Sequence, residues 1–164
     1  MPQVVTIFKN IRETETPFFK DVTYILQRIK EGKSSELCKK IRSEKNKTYR
    51  NDLKKQLPAI CFSGKFNKRS DSSIVEHSGL ICLDFDGYNK KKDMLEDKER
   101  FEKNKFVFSV FVSPSGNGLK ILVKIPQDPD NHVRYFNSLK KEFDSVYFDT
   151  TSKNLSRVCY ESYD

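Results

Sequence analysis

The sequence lacks the patterns that mark disulfide-rich, zinc-binding or membrane-anchored proteins. Its four cysteines, Cys38, Cys61, Cys82 and Cys159, include no two with the spacing of metal ligands. The first ten residues contain no long apolar stretch like that of a signal peptide. No apolar run approaches the length that crosses a membrane. We therefore expect a protein without membrane association in a reducing cytoplasm.

Histidine is also scarce, since His77 and His132 are the only two and neither belongs to a ligand pattern. The 164 residues are 36% hydrophobic and 33% charged, which is enough apolar content for one folded domain. The formal net charge of +8 favours a polyanionic partner, because lysine and arginine displace counterions from phosphates. A solvated basic surface is the alternative explanation of this charge.

The length predicts a single domain over residues 1–164, and hydrophobic periodicity predicts that it contains both strands and helices. The N-terminal part begins with a strand at 4–8 and contains helices at 21–30 and 35–57, before a strand at 58–62. The turn between 112 and 119 is too short for a parallel crossover, so the flanking strands should pair as a hairpin. We expect a mixed sheet with helices on one face. The C-terminal part has predicted strands at 80–83, 106–112, 119–124 and 157–162, and predicted helices at 89–104 and 130–143.

Asp84 and Asp86 end the most apolar of these strands, with Phe85 between them. Side chains at positions i and i+2 of a strand share one face, with alpha carbons roughly 6.6 Å apart. The two carboxylates can therefore grip a divalent cation together, and they repel each other without one. A solvated Asp-Gly turn is the structural alternative.

Two classes of enzyme use such an acid pair. One class of phosphatase has an apolar strand followed by Asp-x-Asp-Gly-Thr, but Tyr88 replaces the threonine here and no Gly-Asp-x-x-x-Asp follows. A two-metal polymerase needs a third carboxylate. Asp149, after an apolar run, is the main candidate, and Asp144 at a predicted helix end is the weaker one. A cap or turn role remains open for both residues.

The segment Ser-Pro-Ser-Gly-Asn-Gly at 113–118 is a second candidate site. Its glycines let backbone amides approach a phosphate, and Lys120 and Lys124 follow on the face of the next strand that is expected to point outward. A plain hairpin turn with solvated lysines is the alternative. Arg157 could bind a phosphate or pair with an acid of the sheet. The candidate phosphate ligands are Ser113, Ser115, Gly116, Asn117, Gly118, Lys120 and Arg157.

Six short motifs occur in a characteristic order over residues 50–164. They are Leu-Pro-Ala at 57–59, Phe-Ser-Gly at 62–64, His-Ser-Gly-Leu at 77–80, Leu-Asp-Phe-Asp-Gly at 83–87, Ser-Pro-Ser-Gly and Gly-Leu-Lys at 113–120, and Ser-Arg and Ser-Tyr-Asp between 156 and 164. Together they resemble the VirE amino-terminal-like domain of bacterial mobile elements and phages. That domain is similar to a divergent branch of the archaeo-eukaryotic primase superfamily.

The resemblance implies an α+β fold in which an RRM-like sheet of mixed or antiparallel strands, at 76–164, lies beside an N-terminal α/β unit at 1–75. It implies that Asp84, Asp86 and Asp149 bind catalytic Mg²⁺ or Mn²⁺, and that the 115–118 turn binds nucleotide phosphates. The expected function is a primase or DNA polymerase-like nucleotidyltransferase, with nucleoside triphosphates and single-stranded or primed DNA as partners. Lys120 stands where the superfamily usually has histidine.

That substitution favours one alternative, a catalytically inactive nucleic-acid-binding domain of a primase-helicase. The DxD-type phosphatase is the other alternative. By the same resemblance, we expect the N-terminal part of a longer replication protein with a C-terminal helicase, in the cytoplasm of a bacterial or phage-infected cell.

Overall fold

The computed structural model describes residues 2–164, which form an α+β fold of nine strands and five α-helices. The strands are β1 (Val4–Phe8), β2 (Phe18–Asp21), β3 (Ala59–Cys61), β4 (Gly64–Phe66), β5 (Ile74–His77), β6 (Leu80–Phe85), β7 (Val107–Val112), β8 (Leu119–Lys124) and β9 (Cys159–Tyr160). The helices are α1 (Val22–Lys30), α2 (Ser35–Ser43), α3 (Lys47–Lys54), α4 (Lys91–Glu102) and α5 (His132–Phe143). None of the helices in this part of the chain has the length and apolar character needed to span a bilayer.

The strands form three antiparallel sheets, which confirms the predicted α+β fold class. Of the two forms expected for the sheet, mixed or antiparallel, the antiparallel one is found and the mixed one is wrong. One sheet has the order β2-β1-β3-β9, and β4 pairs with β5 as a separate hairpin. The third, here called the central sheet, has the order β6-β8-β7. Its β7-β8 pair confirms the predicted hairpin, and β8 separates β6 from β7.

The last predicted strand, at 157–162, does not belong to the central sheet. Only Cys159–Tyr160 is a strand, and it pairs with β3 in the first sheet. Residues 147–149 instead lie along the free edge of β6. Asp86 N donates to Tyr147 O and Asp149 N donates to Asp84 O, both at 2.8 Å. The resulting strand–helix–strand–strand–helix–edge order is that of an RRM-like or ferredoxin-like sheet.

The helix predicted at 35–57 is two helices, because residues 44–46 leave the helical conformation. Glu44 and Asn46 have extended backbones, and the Asn46 side chain caps α3 by accepting from Tyr49 N. Asp21 caps α1 by accepting from Thr23 N, as its position predicted. The break lets α3 take its own direction, and α3 supplies a residue to the candidate site.

The central sheet is covered on both faces. Helices α4 and α5 bury side chains such as Phe101 and Phe136 against Leu83 and Phe85 of β6. The opposite face, which includes Leu80, Cys82 and Leu122, packs on α1, β1 and β3. Along β6, the side chains of Leu80, Cys82 and Asp84 point to this second face. The candidate site therefore begins at Asp84, where the apolar packing on that face ends.

Candidate metal and nucleotide site

The three predicted acids converge at one end of the central sheet. Asp84 is the penultimate residue of β6, Asp86 follows the strand, and Asp149 lies on the adjacent edge segment. One carboxylate oxygen from each residue can be chosen so that all three lie within 4.8 Å of one another. The backbone bond from Asp149 N to Asp84 O fixes the third acid beside the first. Asp144, the weaker candidate, instead forms the left-handed C-cap of α5 at φ 35° and lies outside this cluster.

Lys120 faces the acids rather than the solvent. It lies directly opposite Asp84 in the β6–β8 pair, and its Nζ is 2.8 Å from Asp84 Oδ1. The two side chains are only 13% and 8% exposed. The outward position expected for Lys120 is wrong, because the N-terminal unit covers that face of the sheet. Burial lowers the pKa of Lys120, but Asp84 and other neighbours more than offset this effect and leave the pKa raised.

Arg157 is the second cation at the cluster. Its guanidinium NH2 nitrogen lies 3.8 Å from Asp84 Oδ2 and 3.5 Å from Asp149 Oδ2. Burial alone would raise the pKa of Asp149, but hydrogen bonds from Thr151 and the charge of Arg157 bring it below its usual value. Arg157 therefore ties the edge segment to the end of β6.

Asp86 has no such partner, since no lysine or arginine among residues 2–164 lies within ion-pair distance of it. It is also the most exposed of the three acids. Loss of hydration in the pocket raises its pKa; Lys120 opposes this, while the charges of Asp84 and Asp149 add to it. Asp86 is thus the acid whose unpaired negative charge a cation from solvent would stabilise most.

The pocket at this cluster, here called the acidic pocket, has a volume of about 190 Å³. Larger surface pockets, up to about 460 Å³, lack converging carboxylates. The acidic pocket is lined by Lys54, Asp84, Asp86, Ser113, Pro114, Ser115, Lys120, Arg157, Val158 and Tyr160. Four of the predicted phosphate ligands, at 113, 115, 120 and 157, therefore share a pocket with the first two acids.

The remaining turn residues lie at its margin. Gly116 adopts φ 79°, and a Cβ there would lie 3.2 Å from the Arg42 side chain. The exposed Asn117 accepts from Tyr88 N through its carbonyl. The amide of Gly116 already donates to Ser113 O at 2.9 Å, so it serves the turn itself. Gly118 has a direct role, because a Cβ there would lie 2.7 Å from Phe85 O and 2.8 Å from Asp86 Oδ1. Only glycine lets β8 approach the acids this closely.

Lys54 is a charged pocket residue that the sequence analysis did not assign to the site. It lies on the last turn of α3, and burial together with the charges of Arg50 and Lys120 lowers its pKa. A helical pattern of cations at 47, 50 and 54 was the available signal. That pattern does not say which surface the helix packs on, so it does not assign Lys54 to the pocket.

Fold and site together define an α+β domain with a carboxylate cluster at the edge of an antiparallel sheet. Residues 52–164 match the family described as BT4734-like, N-terminal domain, and the chain belongs to this family. The family is related to VirE N-terminal-like domains, in agreement with the motif resemblance. No curated protein and no solved structure matches the chain.

Proposed function

We propose that this domain is a metal-dependent nucleotidyltransferase of primase or DNA polymerase type that acts in the replication of a mobile element or phage. The observation that carries the proposal is the convergence of carboxylate oxygens of Asp84, Asp86 and Asp149 within 4.8 Å. The first two of these acids line a pocket together with Lys54, Lys120 and Arg157. Phosphoryl transfer needs this combination, because carboxylates hold the cations that meet the phosphates and basic groups neutralise the remaining charge.

The acids fit a hard divalent cation. Carboxylate oxygens are the ligands that Mg²⁺ and Mn²⁺ prefer. The pKa of Asp86 is raised first by burial and then by the charges of Asp84 and Asp149, and a bound cation would offset both effects. Asp86 and Asp149 offer oxygens to it, while one oxygen of Asp84 is bonded to Lys120. When bound, the metal would polarise phosphoryl oxygens and lower the pKa of an attacking hydroxyl.

The other pocket residues would bind the phosphates of an incoming nucleotide. Lys120 and Arg157 can neutralise phosphate oxygens, and the hydroxyls of Ser113 and Ser115 can donate to them. The pocket is smaller than the roughly 300 Å³ at which pockets for whole small molecules begin. It is therefore suited to the phosphate groups of a nucleotide, with the base and sugar outside.

A second candidate is a catalytically inactive nucleic-acid-binding module. The contact between Lys120 Nζ and Asp84 Oδ1 favours this inactive module, because the ammonium group occupies a carboxylate oxygen that would otherwise bind the metal. The DxD-type phosphatase has less support. Tyr88, in place of the threonine of that motif, is buried, donates to Asp97 Oδ2 and stacks on Tyr147.

A nucleotide-incorporation assay tests the proposal. The domain is incubated with Mn²⁺, labelled nucleoside triphosphates and single-stranded or primed DNA, beside Asp84→Asn/Asp86→Asn. Asp130→Asn/Glu142→Gln, which removes two exposed acids elsewhere, is the matched control. Template-dependent product in wild type and control, lost in the first variant, is expected. Absence of product with DNA binding intact in all three proteins would instead favour the binding module.

A further inference from the structure

Helix α3 presents a row of three cations, Lys47, Arg50 and Lys54, here called the α3 ridge. Residues three and four apart lie one above the other on a helix, so the three side chains share one face. Leu53, beside this face, is buried in the core and fixes the helix orientation. The ridge is thus a fixed line of positive charge rather than a flexible basic tail.

The ridge leads into the acidic pocket. Lys54 lines that pocket together with Lys120 and Arg157. Burial lowers the pKa of Lys54 most, and the charges of Arg50, Lys120 and Lys47 lower it further. The charge of Asp86 opposes them. Positive charge therefore accumulates from the pocket outward along α3.

The ridge cations lack the acidic partners that other lysines nearby have. Among residues 2–164, none of the three forms an ion pair within 4 Å, and Arg50 Nε is shielded from solvent without a hydrogen-bond acceptor. In contrast, Lys39 pairs with Glu36 at 3.0 Å and Lys55 pairs with Asp52 at 2.9 Å. The charge of the ridge is therefore not compensated by a carboxylate, whereas the charges of Lys39 and Lys55 are.

We propose that the α3 ridge binds the sugar-phosphate backbone of a single nucleic-acid strand and directs that strand to the acidic pocket. From Lys47 to Lys54 the helix rises about 10 Å. A strand carries one phosphate for roughly every 3.4 Å along a duplex axis, so the ridge can follow about three phosphates. The destination of the strand rests on the proposed function, whereas its binding to the ridge does not.

The salt dependence of oligonucleotide binding tests this role. A labelled single-stranded oligonucleotide is titrated in EDTA, without metal or nucleotide, over a series of salt concentrations. Lys47→Gln/Arg50→Gln/Lys54→Gln is compared with Lys39→Gln/Lys55→Gln/Lys103→Gln, whose three lysines are paired with Glu36, Asp52 and Glu99. Both variants lose three charges, and glutamine keeps helix propensity close to that of lysine and arginine.

The ridge variant should lose about 2 from the magnitude of the slope of log K against log salt, because each phosphate contact with a single strand contributes about 0.7. The control variant should keep the wild-type slope. An unchanged slope in the ridge variant, or equal losses in both variants, would overturn the proposal. Circular dichroism and thermal unfolding of both variants confirm that they are folded.

A nucleoside triphosphate is the other phosphate ligand that the ridge could bind, and measuring triphosphate binding separates it from the nucleic-acid strand. Lys47→Gln/Arg50→Gln keeps Lys54 in the pocket and should bind triphosphate as wild type does while binding the oligonucleotide more weakly. Loss of triphosphate binding with oligonucleotide binding intact would overturn the proposal. Because the oligonucleotide titration contains no metal, failure of the nucleotidyltransferase assay would leave its result unaffected.

Discussion

Lys120 and Asp84 face each other across strands β8 and β6, with Nζ 2.8 Å from Oδ1 and both side chains nearly buried. A buried ion pair of this kind adds little to stability over an apolar pair, but removing one partner leaves an unpaired charge in the interior. Lys120 therefore neutralises Asp84 within the apo domain and also competes with any cation that the acid would bind.

Replacing Lys120 with Met should destabilise the domain by about 3 kcal/mol in the absence of metal, because Asp84 stays buried with only the more distant Arg157 to offset its charge. Urea unfolding in EDTA measures this loss. Lys124→Met is the matched control, since Lys124 lies on the same strand but is exposed, and it should cost less than about 1 kcal/mol. Mn²⁺ should stabilise Lys120→Met more than wild type. Equal losses in the two variants would show that the pair is not needed.

We expect the domain to lose stability in mild acid because of His77 and His132, which are buried against each other. Gly79 N donates to His77 Nδ1, so the His77 proton is assigned to Nε2, which donates to His132 Nδ1 at 3.1 Å. Burial lowers the pKa of both residues, that of His132 to about 4. The unfolded chain binds these protons more readily than the folded one. The stability they contribute is therefore complete above pH 6.5 and is lost as the pH falls towards 4.

The shift at His132 corresponds to about 3 kcal/mol across that window. Urea unfolding at several pH values checks it, with His132→Gln as the comparison. The free energy of unfolding of the variant should fall less steeply with acid, by up to about 1.4 kcal/mol per pH unit. Parallel curves for wild type and variant between pH 6.5 and 4.5 would contradict the assignment.

Gly118→Ala should disturb Asp86 directly. The new Cβ would meet Phe85 O and Asp86 Oδ1 at under 3 Å, so either strand β8 or the carboxylate must move. We expect a loss of about 1–3 kcal/mol in stability together with weaker Mn²⁺ binding. Gly87→Ala is the control, because its φ of 83° makes alanine strained but nothing lies within 4 Å of its Cβ. The control should lose stability and keep its Mn²⁺ affinity; equal affinities in the two variants would contradict this account.

Local periodicity was sufficient to predict much of the central sheet. The i and i+2 placement of Asp84 and Asp86, the β7-β8 hairpin and helices α1, α4 and α5 all follow from short-range patterns that the structure confirms. These features depend on which face of one element is apolar, and the sequence records that directly.

The pairing of strands that are distant in the sequence could not be predicted in the same way. The strand at Cys159–Tyr160 pairs with β3, and 147–149 takes the edge of β6, because long-range packing decides between two short apolar segments. Lys120 was assigned to solvent by alternation, but both faces of its sheet are covered. Alternation identifies opposite faces and does not show what covers each of them.

The central claim is that the acid cluster binds a divalent cation, and titration of the apo domain with Mn²⁺, followed by electron paramagnetic resonance, tests it most directly. Asp86→Asn is compared with wild type and with Asp144→Asn, which removes an exposed acid outside the cluster. Wild type and Asp144→Asn should bind Mn²⁺, and Asp86→Asn should bind it at least about tenfold more weakly. Mn²⁺ affinity that is equal in all three proteins, or absent from wild type, would contradict the account.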